Sequence, residues 1–438
     1  MNILLSINHL LKLNIKKIDI VLLTLILCII INPFIIYDIG FIYSYTISFF
    51  LILYKNKYKT NNKLLKIIYI SLISFLVSLP INIYTSYEIN FLSIILNIII
   101  VPIVSLILLP LSLLTLIFPI LDNILYLITS ILEKISLYTS NINIFKQVLS
   151  KPSIILIIIY YLVIILILSK NKHYYLILIL LIFHKTIPLY NSNLEVVMFD
   201  VGEADSMLIS TPSKKVNILI DTGRGIDINN IIIYLKSIGI SKLNYLIITH
   251  GDEDHIGGAL YLIDNFKVDN VILNKGDYTE LEVELITHLK NKNIKYTNNI
   301  NKIPLLGSYM YLLNTKKFSN ENDNSIVTYF EYQKYKFLFM GDSSSKTEEY
   351  LINNYNLTNI SFLKVGHHGS NTSSSPLFIN KITPKVSLIS VGRNNFYHHP
   401  NKEVLTNLSN SVIYRTDINK SIKIKINNKV KITKLNNN

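Results

Sequence analysis

Two patterns of apolar and polar positions meet near Tyr190. Before it, apolar runs lie at roughly 18–36, 39–54, 64–83, 90–118, 123–140, 153–169 and 173–189, separated by short polar gaps. Most are long enough to cross ~30 Å of hydrocarbon. The run at 123–140 contains Glu133 and Lys134 and reads equally as an interfacial helix. The run at 90–118 exceeds one span and holds Pro102 and Pro110, which predicts either a broken helix with a functional role or a simple kink. After Tyr190 the runs are short, many are β-branched, and they end in Asp, His or Gly. Those over 194–199, 207–210, 217–220, 245–249, 268–273, 326–332, 336–340, 361–365 and 386–391 read as strands. Those over 226–237, 281–290 and 346–353, and a stretch opening at Ala259, read as helices. Residues 416–434 alternate polar and apolar, the pattern of closing edge strands with lysines toward solvent.

Composition sharpens the same boundary. At 438 residues the chain is too long for one compact domain, and half of it is hydrophobic. Thirteen of its 14 glycines follow residue 190, Gly40 being the exception; residues 1–190 hold 14 Lys+Arg against 5 Asp+Glu, whereas 191–438 hold 28 against 23. The first segment is therefore expected in the membrane, and the second has enough mixed-charge sequence to bury a core of its own. The single Cys28 lies in an apolar run, which excludes an intrachain disulfide framework and a cysteine metal site. The net charge of +14 follows from a composition rich in Asn, Lys, Ile and Tyr, and is no argument by itself for nucleic-acid binding. Residues 1–17 are basic and mildly amphipathic, with an apolar stretch at 18–31 and no small-residue cleavage site; they read as an interfacial start rather than a signal peptide. Lys55, Lys57, Lys59, Lys63 and Lys66 crowd one loop and Lys170 and Lys172 another. Both loops are expected in the cytoplasm, and one further crossing puts everything after Tyr190 outside.

The chemistry concentrates at 249–258, Thr-His-Gly-Asp-Glu-Asp-His-Ile-Gly-Gly, between a strand and a helix. Metal ligands need this kind of spacing, because imidazole nitrogen and carboxylate oxygen must converge within ~2.0–2.2 Å of one ion. His250 and Asp252 can face one ion while Asp254 and His255 face a second. Further ligand types follow later strands: Gly341-Asp342, Gly366-His367-His368-Gly369, and Gly392-Arg393 with Tyr397-His398-His399-Pro400. Six of the seven histidines after residue 190 fall in three strand-end loops; His288, on a helix away from them, reads as a surface residue. Asp342 either bridges two cations or caps the helix after it. Adjacent His367 and His368 point different ways, so one binds metal and the other supports it or reaches substrate, with His367 favoured as ligand. Arg393 is a candidate phosphate contact, and Asp254, His368 and His399 are candidate catalytic groups. The polar loop 371–376 suits phosphate oxygens or is merely flexible.

The motif HxDxDH with Gly-Gly after it resembles the metal loop of the metallo-β-lactamase fold, whose commoner form is HxHxDH. With Asp252 at the third position it resembles the hydrolase domain of the ComEC family of DNA-uptake proteins. Residues 199–206, FDVGEADS, are similar to that family's FDVGQGD turn, with Glu203 and Ala204 replacing Gln and Gly. Asn32-Pro33, Asp38, Gly40-Phe41 and Ser44, together with Asn97 and Pro102, are similar to its membrane signature. The resemblance implies an α-helical polytopic membrane domain over 1–190, lacking that family's N-terminal portion, then an α/β (αββα sandwich) hydrolase domain over 191–438. It implies two divalent metal ions, manganese or zinc, held by His250, Asp252, Asp254, His255, Asp342, His367 and His399. The family also has Asn-Ser where Asn324-Ser325 stand, without a histidine; fewer nitrogen ligands favour a harder ion such as manganese. Asp200 and Asp205 are expected to fix loops, and Asp221-Thr222-Gly223 to be a structural turn. The expected function is DNA uptake: the membrane part contributes to passage of a single strand, and the external domain hydrolyses phosphodiester bonds of the other. The location implied is the bacterial inner membrane with the hydrolase outside. The partners implied are DNA, membrane lipid, other competence proteins and a separate chain supplying the N-terminal region. Two other readings stay open: an anchored metallohydrolase acting on a non-nucleic-acid ester or lactam, and a transport or scaffold subunit with an inactive hydrolase.

Overall fold

The computed structural model describes residues 8–435 apart from 9, 13, 56–59, 141, 171 and 315. Lys57, Lys59 and part of the stretch 1–17 thus lie outside the described residues. The chain divides into two compact units, Met1–Thr186 and Ile187–Asn438.

The first unit is helical. Helices Lys17–Ile31, Ile39–Leu53, Lys63–Ser86, Leu92–Ile103, Leu109–Thr115, Asp122–Ser140, Ile154–Lys170 and Tyr175–Thr186 follow the apolar runs. Two stretches, Leu64–Ser86 and Leu92–Thr115, are long and apolar enough to cross a membrane; Ile39–Leu53, Ile154–Ser169 and Tyr175–Tyr190 are apolar but shorter. The Leu92–Thr115 stretch is not severed at its prolines. It passes through a π-helical turn, Val104–Leu108, placed between Pro102 and Pro110. The wider turn accommodates the two positions that lack an N–H without ending the helix. Asp38 caps Ile39–Leu53 by accepting from the Phe41 N–H at 2.6 Å, and Asn32 caps the preceding turn through Phe34 N–H. Capping is a sufficient physical reason for both residues.

The second unit is an αββα sandwich. One eight-stranded sheet runs in the order Lys295–Thr297, Asn270–Ile272, Tyr245–Ile247, Asn217–Ile220, Met207–Ser210, Leu194–Met198, Ser421–Ile426, Val430–Leu435. The other, seven-stranded, runs Lys302–Leu305, Ser308–Leu312, Thr328–Tyr332, Tyr335–Phe339, Phe362–Lys364, Val386–Ile389, Val412–Arg415. Period-two patterning sorts the side chains. Val196, Met198, Ile209, Ile218 and Ile220 face the second sheet, where they meet Phe330, Phe337, Phe339 and Phe362. Val197, Leu208 and Leu219 face helices Ile228–Ser237, Ala259–Asn265 and Glu280–Asn291. Helices Ser345–Asn354, Pro376–Ile382 and Lys402–Asn407 cover the opposite face of the second sheet through Leu351, Phe378, Ile382 and Val404. The stacked rings of Phe330 and Phe337, 4.5 Å apart, mark the centre between the sheets; burying each such ring stabilises by about 1.5–3 kcal/mol.

The C-terminal hairpin departs from expectation. Ser421–Ile426 is an interior strand, antiparallel to both Leu194–Met198 and Val430–Leu435. Lys423 is accordingly buried rather than solvated, 3.0 Å from the Glu195 carboxylate, which also takes Lys214 at 2.5 Å. The lysines hold Glu195 down to about 2 even though burial alone pushes it up. Strands 295–297, 302–305, 308–312 and 412–415 are additions the pattern did not predict.

Candidate metal centre

Loops that follow strands of both sheets meet at one cluster. Asp221 follows Asn217–Ile220, His250 follows Tyr245–Ile247, Asp342 follows Tyr335–Phe339, and His367 and His368 follow Phe362–Lys364. Two of these turns require glycine. A Cβ on Gly251 meets Thr279 Oγ1 at 2.2 Å, and Gly341, at φ +56°, brings Ser325 within 2.8 Å of where its Cβ would stand.

Four ligand-type residues converge. Asp254, His255, Asp342 and His368 each offer an atom, all within 4.8 Å of one another. His255 Nε2 lies 3.4 Å from Asp342 Oδ1, and His368 Nε2 lies 3.3 Å from Asp254 Oδ2 and 3.5 Å from Asp342 Oδ2. Of the adjacent histidines, His368 is thus the one drawn into the cluster. His367 is half-buried, its Nε2 4.0 Å from Asp342. The reason lies in what each Nδ1 meets. His368 Nδ1 donates to the Ser390 carbonyl at 2.9 Å, which turns Nε2 toward the carboxylates, whereas His367 Nδ1 is within 3.1 Å of Thr372 Oγ1. His250 packs against His255 with ring centroids 4.1 Å apart, and its Nε2 is 3.4 Å from the exposed Asp252 carboxylate.

A layer of polar groups holds these side chains from behind. Asp221, in the left-handed region at φ +56°, accepts from Thr249 N–H (2.8 Å), Thr249 Oγ1–H (2.7 Å) and His255 Nδ1–H (2.8 Å). A carboxylate at Nδ1 fixes the ring and leaves Nε2 for a ligand, so this strand-end turn orients a site residue beyond its role in chain geometry. Ser325 lies where the sequence lacks a histidine. Its Oγ accepts from Asp342 N–H at 3.1 Å and lies 3.3 Å from His250 Nδ1. Lys364, fully buried, donates to Asp205 and to the Gly341 carbonyl at 2.9 Å, and stands 3.6 Å from Asp342. His399 Nδ1 donates to Glu203 at 2.8 Å, and the other Glu203 oxygen accepts from Gly392 N–H at 2.8 Å.

Opposite charges in the cluster support one another against burial. Burial disfavours charge on His255 and His368. Asp342 outweighs it at both, with Asp221 adding at His255 and Asp254 at His368, so His255 is held well above the usual imidazole range and His368 at about 9. Burial likewise works against charge on Asp254 and Asp342; the imidazoles reverse it, taking Asp254 to about 2 and Asp342 well below the carboxylate range. Burial together with neighbouring His368 and His399 keeps His367 below its usual range against the pull of Asp342.

The residues fit divalent cations. His250 Nε2, His255 Nε2 and Asp342 Oδ1 are buried without a hydrogen-bond partner among the described residues. Such atoms are rare unless something binds them. The donor set is imidazole nitrogen and carboxylate oxygen with no sulfur, which suits zinc or manganese.

A cavity of about 270 Å³ opens over the cluster. Asp252, Asp254, Asp342, His367, His368 and His399 line it, as do Glu203, Glu253, Asn322, Arg224 and Tyr397. Arg393 does not: its Nε donates to the Asp417 carbonyl at 2.9 Å. The cation beside the pocket is Arg224, which sequence reasoning passed over because it stands in a turn without a ligand-type neighbour.

Comparison with known proteins follows the two units. Residues 1–172 match the family model described as Competence protein, and residues 199–393 match that of the metallo-beta-lactamase superfamily. The chain is similar to ComE operon protein 3 of Bacillus subtilis (strain 168), 27% identical over 96% of this chain and 60% of that protein. It is also similar to competence protein ComA of Neisseria gonorrhoeae, 30% identical over 48% of this chain and 28% of that one. The chain therefore spans less than two thirds of the length of either relative. Among solved structures, a diphosphatase from the PhnP family is 13% identical, covering 53% of this chain and 99% of that one with a TM-score of 0.34. YhfI from Bacillus subtilis is 13% identical, covering 50% and 95% with a TM-score of 0.35.

Proposed function

This chain is a ComEC-family competence protein that joins a Competence domain to a metallo-β-lactamase domain, and from that premise we propose that it is a nuclease component of DNA uptake. In this reading residues 1–190 are a multi-pass membrane domain contributing to passage of one DNA strand. Residues 191–438 lie on the outer side of the bacterial inner membrane and cleave phosphodiester bonds of the strand that is not transported. DNA, membrane lipid, other uptake proteins and a chain supplying further membrane segments are its partners. The carrying observation is the convergence of Asp254, His255, Asp342 and His368 with buried imidazole nitrogens left over.

Two divalent cations fit the proposal. Asp254, His255, Asp342 and His368 would hold one, and His250 and Asp252, sharing Asp342, the other. In this assignment His368 takes the ligand place for which the sequence favoured His367, and His367 serves the pocket wall. Bound cations of this kind lower the pKa of water and neutralise charge on phosphoryl oxygens. The chain's own residues do the positioning. Asp221 and the Ser390 carbonyl lock the tautomers of His255 and His368. Arg224 offers a guanidinium to a non-bridging phosphate oxygen. Glu203 holds His399 by Nδ1, so Nε2 is the nitrogen left to meet the leaving oxygen. Arg393, engaged at Asp417, has no part in this arrangement.

The test is cleavage of linear DNA by the detergent-solubilised full chain with manganese or zinc, in wild type and Asp254→Ala. We expect the variant to lose at least about a hundredfold in rate and to retain less metal after dialysis. A wild-type chain that binds metal and turns over only small esters or lactams overturns the nuclease reading, and one that neither binds metal nor hydrolyses anything leaves a scaffold.

A further inference from the structure

The loop between Gly392 and Pro400 displays two aromatic rings that the reaction above does not use. Phe396 is 89% exposed and Tyr397 is 65% exposed. The display is braced. Asn395 Nδ2 donates to the carbonyls of Gly392 (3.1 Å) and His399 (2.8 Å), while Asn395 Oδ1 accepts from the His399 N–H at 2.8 Å. The rings also continue a series that begins inside the metal cluster. His368 and His399 lie 6.5 Å apart with planes 19° from parallel, Tyr397 follows 5.6 Å from His399 at 18°, and Phe396 stands edge-on to Tyr397 at 5.9 Å. Tyr397 lines the same cavity as Asp254, Asp342 and His368.

We propose that Phe396 and Tyr397 form a stacking platform for a nucleobase next to the scissile phosphodiester, which makes an unpaired strand or a frayed end the preferred substrate. This rests on the phosphodiesterase reading and adds the feature of the substrate that is recognised. Every base has a π-face, so an aromatic platform holds a strand without choosing its sequence. Both faces of a base inside a duplex are already covered by its neighbours, so the platform takes a base only where pairing and stacking have opened. Tyr397 lines the cavity of about 270 Å³, so a base attached to a phosphodiester held there lies beside the exposed rings.

The experiment compares two phosphodiesters on the full chain loaded with manganese: the p-nitrophenyl ester of thymidine 5′-monophosphate, which carries a base, and p-nitrophenyl methyl phosphate, which carries none. Wild type is expected to favour the nucleotide ester at least tenfold in kcat/KM, mostly through KM, as one stacked base allows. In Phe396→Ala/Tyr397→Ala the ratio is expected to fall toward one, with Phe396→Ala alone intermediate. Tyr397→Phe, which keeps the ring, should retain the preference. A double variant with the wild-type ratio overturns the platform while leaving the phosphodiesterase reading intact, and so does a wild-type ratio near one. Hydrolysis of neither ester by metal-loaded wild type overturns both.

Discussion

Histidine is buried in both units of this chain, and the two burials are built differently. In the helical unit His184 has both ring nitrogens engaged: Nε2 donates to the Ser150 carbonyl at 2.9 Å, and Nδ1 takes the Tyr160 hydroxyl at 3.1 Å. Nothing on that ring is left over. In the sandwich, His250 and His255 engage Nδ1 and leave Nε2 without a hydrogen-bond partner among the described residues. Each such buried polar atom costs about 1–3 kcal/mol, and here two stand side by side. Burial of a histidine therefore says little. The nitrogen it leaves unspent distinguishes a packing residue from one kept for a ligand.

The largest test of that contrast is Lys364→Met. It strips the ammonium from Asp205 beneath the cluster and should destabilise the sandwich by about 3–5 kcal/mol. Thermal unfolding of the solubilised chain measures it, and a loss under 1 kcal/mol would mean that water reaches Asp205. A second test uses Glu282, a buried carboxyl behind Gly251, pushed up to about 7 by burial, with Glu321 adding to the rise and the Thr279 N–H opposing it. The folded chain keeps a proton that the unfolded chain releases above about 4.5. Stability should therefore fall as pH rises from about 4.5 to 7 and level off above. Glu282→Gln should remove this pH dependence, about 3 kcal/mol across the window, read as the difference between wild type and variant in urea titrations at several pH values. Next comes Asp221→Asn, which withdraws the charged partner from His255 Nδ1. Metal affinity should drop about 10–100-fold in a chelator competition while the fold persists. The smallest effect belongs to the helical unit: Tyr160→Phe should cost about 1 kcal/mol and leave bound metal unchanged. Metal loss there would break the comparison.

Much of this was legible in the sequence because its signals were local. Apolar length marked the helices, and the recurrence of Asp, His and Gly after short apolar runs marked the loops that meet at the cluster. What escaped depends on partners distant along the chain. The sequence reading favoured His367 over His368; the Ser390 carbonyl, 22 positions along the chain, turns the second toward the carboxylates. Arg224 carries no signal until its turn folds over the cavity. Lys423 looked solvated because its neighbour Glu195 is 228 positions away. Pro102 and Pro110 left a break and a kink equally open, and a π turn between them kept the stretch continuous.

The interior place of Ser421–Ile426 bears on how the enzyme comes into being. A growing polypeptide that has passed His399 already carries every proposed ligand, yet strand Leu194–Met198 still has one flank open. That flank closes only when a segment more than 220 positions downstream arrives, a slow, long-range pairing. Closure of the sheet behind the cluster thereby waits on a segment that is made after every ligand-type residue of the cluster.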